Sequence, residues 1–403
     1  MQTEEPADFE LNSLHALRQL NLTKARKRPL PALHLHRFIG VFVLPCQSWC
    51  VKCLSGASAL SGRETGALPL RRLLVVTYRN VPDSKMEVRM WVFEEMVNDK
   101  KLTEIINEKH ENTKYLPGVR LPCNVVATPD LLHATQDADV LIFVLPHQFL
   151  QRVCHQMKPA LKQGVYGVSL MKGLALSEKG CIRLLTDLIR EQLSIPCAVM
   201  MGANLASEVS QEYYCEATIA AASLDMGREL KQLFQTDYFR IVVIQDEVGT
   251  ELCGALKNIV AVGAGITEGL GYGDNTKAAV IRLGFMEMKS FIYEFFGARN
   301  PQESTFLESC GVADLITTCY GGRNKRMGYA LATTEEPLDE LERAQLGGQS
   351  AQGPLTACEV YNMLKSRELL SKYPLFTAVH KICTREMPAS EFLSCLANHP
   401  EHR

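Results

Sequence analysis

From about residue 88 the chain alternates short apolar runs with longer stretches of helical periodicity, the pattern of an α/β unit built on a parallel sheet. Residues 90–93 and 138–145 read as strands, and 167–171 and 196–201 as two more. The last two run into loops of small or polar residues, Lys172-Gly173 and Gly202-Ala203-Asn204. Ligands of open α/β sheets lie beyond the carboxyl ends of the strands, so chemistry is sought in those loops. After about Asp246 the strand signal stops, and the rest reads as helices joined by glycine-rich turns. One helix runs through Lys257, one over 275–284, one from Ser304 to Cys319, with more to the C-terminus.

The helix through Lys257 has no obvious room for a charge. Leu252, Leu256, Ile259, Val260 and Val262 surround it with apolar side chains, and Gly254, Ala255, Ala261, Gly263, Ala264 and Gly265 allow other backbones close. Burying an ammonium is costly unless it is paired or its pKa falls toward neutrality, and such a lysine is a candidate general acid or base. The alternative is that Lys257 snorkels to the surface along its aliphatic stem.

The first 85 residues fit neither pattern. Pro29, Pro31, Pro45, Pro69 and a Ser/Gly-rich stretch at 55–62 interrupt long elements, and a poorly ordered, atypical segment is expected. The apolar run 39–46 is too short to span a bilayer and contains a proline, so no membrane anchor is expected. The composition is 46% hydrophobic and 22% charged, enough for two sizeable cores. A formal net charge of −2 disfavours an extensive nucleic-acid surface, and the basic run Lys24-Ala-Arg-Lys-Arg28 reads as a solvated stretch. Fourteen cysteines lack the spacing of a disulfide framework, which points to a reducing cytoplasmic compartment. His34, His36, Cys46, Cys50 and Cys53 include one Cys-x-x-Cys without a second at finger spacing, and no metal is expected.

Several blocks carry a more specific signal. They are Trp91-Val-Phe-Glu-Glu95, His110-Glu-Asn112, Lys114-Tyr-Leu-Pro-Gly118, Pro146-His-Gln-Phe149, Met201-Gly-Ala-Asn204, Cys253-Gly-Ala-Leu-Lys-Asn258, the run 273–284 and the twenty residues 305–324. Through them, residues 91–403 resemble the cytosolic NAD-dependent glycerol-3-phosphate dehydrogenases of animals. The resemblance implies an NAD-binding Rossmann domain over 86–245 and an all-α substrate-binding and dimerisation domain over 246–403. It further implies a homodimer that interconverts dihydroxyacetone phosphate and glycerol 3-phosphate with NADH. Hydride delivered to a C2 carbonyl leaves an alkoxide, so the site needs a proton donor. By the match Lys257 is that donor, Asp314 and Thr318 orient it, and Asn204 lies near the reacting oxygen. Arg323 and Asn324, in a Gly-Gly-Arg-Asn turn, match the phosphate contacts, and Lys172 matches a second substrate-side cation. Phe93 and Phe149 match rings flanking the dinucleotide, Ala206, Arg323 and Gln352 match further cofactor contacts, and Glu94 or Glu95 is placed to accept from the adenosine ribose. Ser350 stands where the family has a lysine.

One part is missing. A Rossmann domain begins with a strand, a Gly-x-Gly-x-x-Gly turn and a helix whose N-terminus holds the pyrophosphate, and the family carries that fingerprint. Before Trp91 the glycines are Gly40, Gly56, Gly62 and Gly66, none spaced as Gly-x-Gly. The best substitute strand, 73–76, lies too close to Met90 for a crossover helix, so the sheet is expected to be incomplete at its first βα unit. Losing two charge-assisted hydrogen bonds to the pyrophosphate costs roughly 3 to 6 kcal/mol, on the order of a hundredfold to ten-thousandfold in NADH affinity. The alternative function is therefore a cofactor-impaired, non-catalytic dimeric interaction protein, which calorimetry with NADH discriminates.

Overall fold

Residues 140–144, Val-Leu-Ile-Phe-Val, are apolar at every position because both faces of their strand are covered. Val140 and Ile142 join a core with Val88, Met90, Val168 and Met200, while Leu141 and Phe143 join Trp91, Leu150, Val153, Leu185 and Ile189 on the other face. A buried parallel strand has this signature. The computed structural model describes residues 38–43 (as backbone), 87–115, 117–177, 180–346 and 351–402.

Among the described residues the main sheet has eight strands: β1 Phe38–Val43, β2 Glu87–Val92, β3 Val125–Thr128, β4 Val140–Val144, β5 Tyr166–Ser169, β6 Cys197–Met201, β7 Cys215–Ala220 and β8 Phe239–Ile244. Their order is 8-7-6-5-4-1-2-3. Strands 3-2-1-4-5-6 are parallel, the doubly wound order, and β7 and β8 run antiparallel to them as a parallel pair. The switch point, where connections leave in opposite directions, lies between β1 and β4.

One expectation is revised: 38–43 fills the first-strand place between β2 and β4, while the rest of the first βα unit lies outside the described residues. The expected substitute at 73–76 lies outside the described residues, as do the Cys/His constellation and the basic run at 24–28. Starting the sheet at Phe38 leaves residues 44–86 for the crossover to β2, ample for a βαβ unit, whereas a start at 73 is not.

After β8 every described element is helical. The helices used below are α1 Leu185–Leu193 from the sheet half, and α2 Glu247–Gly269, α3 Asp274–Phe296, α4 Asp314–Tyr320, α5 Gly322–Thr333, α6 Gln352–Ser366 and α7 Pro374–Cys383. Asp246 starts α2 by accepting the Gly249 N–H at 2.8 Å, and its other oxygen takes Gln302 N and Thr305 Oγ1 at 2.7 Å each. Helix α2 is the axis against which α3, α4, α5, α6 and α7 pack. Leu252, Leu256, Ile259, Val260 and Val262 on it are fully buried, each contributing roughly 1.5 to 3 kcal/mol. Helix α5 crosses it so closely that a Cβ on Gly265 or Gly328 would stand 2.0 Å from a backbone oxygen of the other helix. Among the described residues no helix is long and apolar enough to cross a membrane.

Two local expectations are revised. The single helix expected over 304–319 is a 3-10 turn, Glu303–Leu307, a π-helical turn, Ser309–Ala313, and then α4. A Cβ on Gly311 would lie 2.3 Å from the Phe306 carbonyl oxygen, so the chain folds back there too tightly for one continuous α-helix. The Gly-Gly-Arg-Asn segment is also not a free turn. Gly321 is the N-cap of α5, and Arg323 and Asn324 lie in that helix's first turn.

Candidate active site

Lys257 does not snorkel. It is 3% exposed, and its Nζ donates to Asp314 Oδ1 and, at 2.6 Å, to Thr318 Oγ1. Asp314 and Thr318 are one helical turn apart on α4, so they meet the lysine together. The Thr318 hydroxyl donates in turn to the Asp314 carbonyl oxygen at 2.6 Å, which aims its lone pairs at the ammonium. Burial pushes the Lys257 ammonium down to about 7, Asp314 pulls it up, and Lys172 lowers it further. An amine in that range exchanges a proton readily at neutral pH.

The sheet half supplies the second cation. Lys172, in the loop after β5, donates to Asp314 Oδ2 at 3.0 Å and to the Gly202 carbonyl oxygen at 3.3 Å. Asp314 is thus shared by two lysines brought from opposite layers. Asn204 stands partly buried in the turn after β6, two residues beyond Gly202. A second strut joins the layers behind the site. Glu251, fully buried on α2, accepts from Leu185 N at 2.5 Å and Thr186 Oγ1 at 2.6 Å at the start of α1, and burial pushes its carboxyl up to about 7.

Asn324 is engaged within the protein. Its Nδ2 donates to Asn258 Oδ1 at 2.9 Å and its Oδ1 accepts Gly353 N at 2.8 Å, tying α5 to α2 and α6. Asn258, next to Lys257 in the block 253–258, is not singled out by the sequence. The signal that finds it is adjacency to the buried lysine together with the Asn324 partner. Arg323, partly buried, sits one position further toward the N-terminus of α5, where backbone N–H groups and the helix dipole favour an anion.

Phe93, Phe149 and Ala206 come after the carboxyl ends of β2, β4 and β6. Phe93 follows β2 directly and is 42% exposed. Phe149 follows β4 with the Arg152 guanidinium 5.4 Å from its ring centroid. Gln352 opens α6, and His147 Nε2, in the Phe149 loop, approaches Glu359 Oε1 of that helix at 3.6 Å. Ala206 opens the helix Ala206–Ser210, just past the Asn204 turn. An exposed ring at Phe93 and a partly buried one at Phe149, beside a doubly wound switch point, fit the flat rings of a dinucleotide. Glu94 and Glu95, by contrast, are committed to the protein. Glu94 accepts Thr103 N and Oγ1 at 3.2 and 2.7 Å, and Glu95 accepts Tyr115 Oη at 2.6 Å and pairs with Lys114. Each carboxylate therefore has partners within the protein beside any ribose hydroxyl it would accept. Among the described residues no group of His, Cys, Asp and Glu has the arrangement of a metal site.

The comparisons with known proteins agree with this geometry. Residues 77–226 match the family model for the N-terminus of NAD-dependent glycerol-3-phosphate dehydrogenase, and 246–394 match that for its C-terminus. The chain is 55% identical over 315 residues to the cytoplasmic NAD(+) glycerol-3-phosphate dehydrogenase of Bos taurus, covering 78% of this chain and 90% of the relative. It is 53% identical over 322 residues to that of Drosophila ezoana, covering 80% and 91%. Among solved structures, glycerol-3-phosphate dehydrogenase from Saccharomyces cerevisiae superposes with a TM-score of 0.76 at 38% identity, covering 90% of this chain and all of that one. The enzyme from Plasmodium falciparum gives 0.78 at 34% identity, covering 90% and 96%. With both family models matched and the buried lysine, its carboxylate and the doubly wound sheet all in place, the chain belongs to the NAD-dependent glycerol-3-phosphate dehydrogenase family.

Proposed function

We propose that this chain catalyses the reversible reduction of dihydroxyacetone phosphate to glycerol 3-phosphate, with Lys257 as the proton donor. The observation that carries it is the buried Lys257, held between Asp314 and Thr318 with its ammonium near neutrality. NADH would supply the hydride when bound, with Phe93, Phe149, Ala206 and Gln352 as the residues that would hold it. The oxygen at C2 gains negative charge as the carbonyl is reduced, and the Lys257 Nζ proton neutralises it. In the reverse direction the neutral amine takes that proton back.

Asp314 keeps the ammonium in place, gripping Lys257 through Oδ1 and Lys172 through Oδ2. Lys172 raises the positive potential beside the developing alkoxide, and the Asn204 amide is a second donor to it. Arg323 and the first N–H groups of α5 hold the phosphate, with Arg323 also reaching the cofactor side. Asn324 ties the buried amide of Asn258, the neighbour of Lys257, to α5. The relatives carry the name cytoplasmic, and we place this chain in the same compartment, as a homodimer. The sheet half, β1 with 86–245, acts as the cofactor-binding domain, and 246–403 as the substrate-binding and dimerisation domain.

The test is spectrophotometric. Purified full-length chain mixed with dihydroxyacetone phosphate and NADH is expected to consume NADH and release glycerol 3-phosphate. Consumption that fails at millimolar substrate and saturating NADH, in a folded sample, overturns the proposal.

A further inference from the structure

We propose that Ser309 is a positioning residue for the proton-transfer site, a wedge that ends the β6/β7 ladder and so aims the Asn204 turn at Lys257. It rests on the dehydrogenase reading above. Strands β6 and β7 pair antiparallel, with Val199 opposite Ala220, Met200 opposite Ile219 and Met201 opposite Thr218. Continued one residue at a time, that register would put Gly202 opposite Ala217 and Ala203 opposite Glu216. The ladder stops instead, and the Ser309 hydroxyl stands in the gap. It accepts from Ala203 N at 3.2 Å and donates to the Glu216 carbonyl oxygen at 2.9 Å. The two backbone groups that would have bonded each other are both satisfied, but through one inserted oxygen, while Gly202 still lies against the Ala217 backbone.

The wedge comes from the helical half. Ser309 is buried and opens the π-helical turn Ser309–Ala313 that leads directly into Asp314. A second bond, Cys310 N to Thr218 Oγ1 at 3.3 Å, pins the same turn to β7. The loop then closes on itself. Gly202, beside the parted rung, offers its carbonyl oxygen to Lys172 Nζ at 3.3 Å, Lys172 reaches Asp314 Oδ2 at 3.0 Å, and Asp314 holds Lys257. One hydroxyl therefore sets both the exit direction of the Asn204 turn and the start of the helix turn that presents Asp314. A π turn beside a reactive group is a recurrent device, since its extra residue rotates the next helical turn about the axis.

Replacing Ser309→Ala removes the wedge. Ala203 N is then free to bond Glu216 O directly, extending β6 by a rung and drawing Gly202 O and Asn204 away from Lys172 and Lys257. The expected result is a fall in kcat on the order of a hundredfold, the scale of an ångström-sized misplacement, with NADH affinity by fluorescence titration unchanged. Ser309→Thr, which keeps the oxygen, is expected to recover most of that loss. A crystal structure of S309A is expected to show the Ala203-to-Glu216 bond made. An S309A structure in which the Asn204 turn has not moved, or a kcat within about twofold of wild type, overturns the wedge. A wild-type chain without turnover, whose turn nevertheless moves in S309A, overturns the dehydrogenase reading and leaves the wedge standing.

Discussion

The proton-transfer site and the cofactor edge of the sheet are assembled by different means. Lys257, Asp314 and Thr318 are side chains on two packed helices, each group satisfied by the others and out of water. Beyond the carboxyl end of β1 the sequence departs from the glycine fingerprint that the family resemblance implies. Phe38–Val43 occupies the first-strand position, yet Leu44-Pro45-Cys46-Gln47 comes next in place of Gly-x-Gly-x-x-Gly. Side-chain chemistry survives wherever the helices pack. A pyrophosphate cradle requires glycines, because a Cβ keeps the backbone N–H groups away from the anion.

That contrast is broken most directly at the cofactor edge. Replacing residues up to β2 with the corresponding glycine-loop segment of a family relative is expected to tighten NADH binding on the order of a hundredfold to ten-thousandfold, read by calorimetry. Equal affinity before and after the graft would show that 44–86 already supply the missing donors. On the other side, Lys257→Ala is expected to lower kcat on the order of 10²- to 10⁴-fold with NADH affinity intact, measured by steady-state kinetics and fluorescence titration. A proportional loss of NADH binding would dissolve the separation between the two regions.

Asn324→Ala probes the scaffold between them. It leaves the buried Gly353 N–H and Asn258 Oδ1 without their partner, a cost of about 1 to 3 kcal/mol readable in urea unfolding. Unchanged stability would mean that water replaces the amide. The gentlest probe is pH. With Lys257 titrating at about 7, the protonated donor is depleted above that value. The rate of reduction is expected to fall by about tenfold per pH unit there while the rate of oxidation rises to a plateau. A reduction rate flat to pH 9 would assign the proton to another group.

Much of this is legible along the chain. A lysine among Leu252, Leu256, Ile259 and Val260 marks itself as a buried charge, and four strands show as apolar runs close to their observed bounds. The run at 39–46 is equally apolar, but with Pro45 in it and no glycine turn behind it, it does not read as a strand. The proline falls after the strand has ended, where it interrupts no ladder bond. Strands β7 and β8 lie at the antiparallel edge, with exposed Glu216 and Arg240 breaking their apolar runs.

The sequence by itself determined which groups are available to the chemistry and which helix face is buried, because apolar periodicity and side-chain type are local properties. Only the tertiary structure decided how distant groups meet. It put 38–43 at the sheet centre, gave Glu94 and Glu95 to Thr103, Lys114 and Tyr115, set Asn324 behind Asn258, and placed the Ser309 hydroxyl in the β6/β7 ladder. Each is a contact between segments that meet only in the fold. Such pairings are set by polar groups of side chain and backbone seeking partners once the layers have packed, and neither residue carries a local mark of the other.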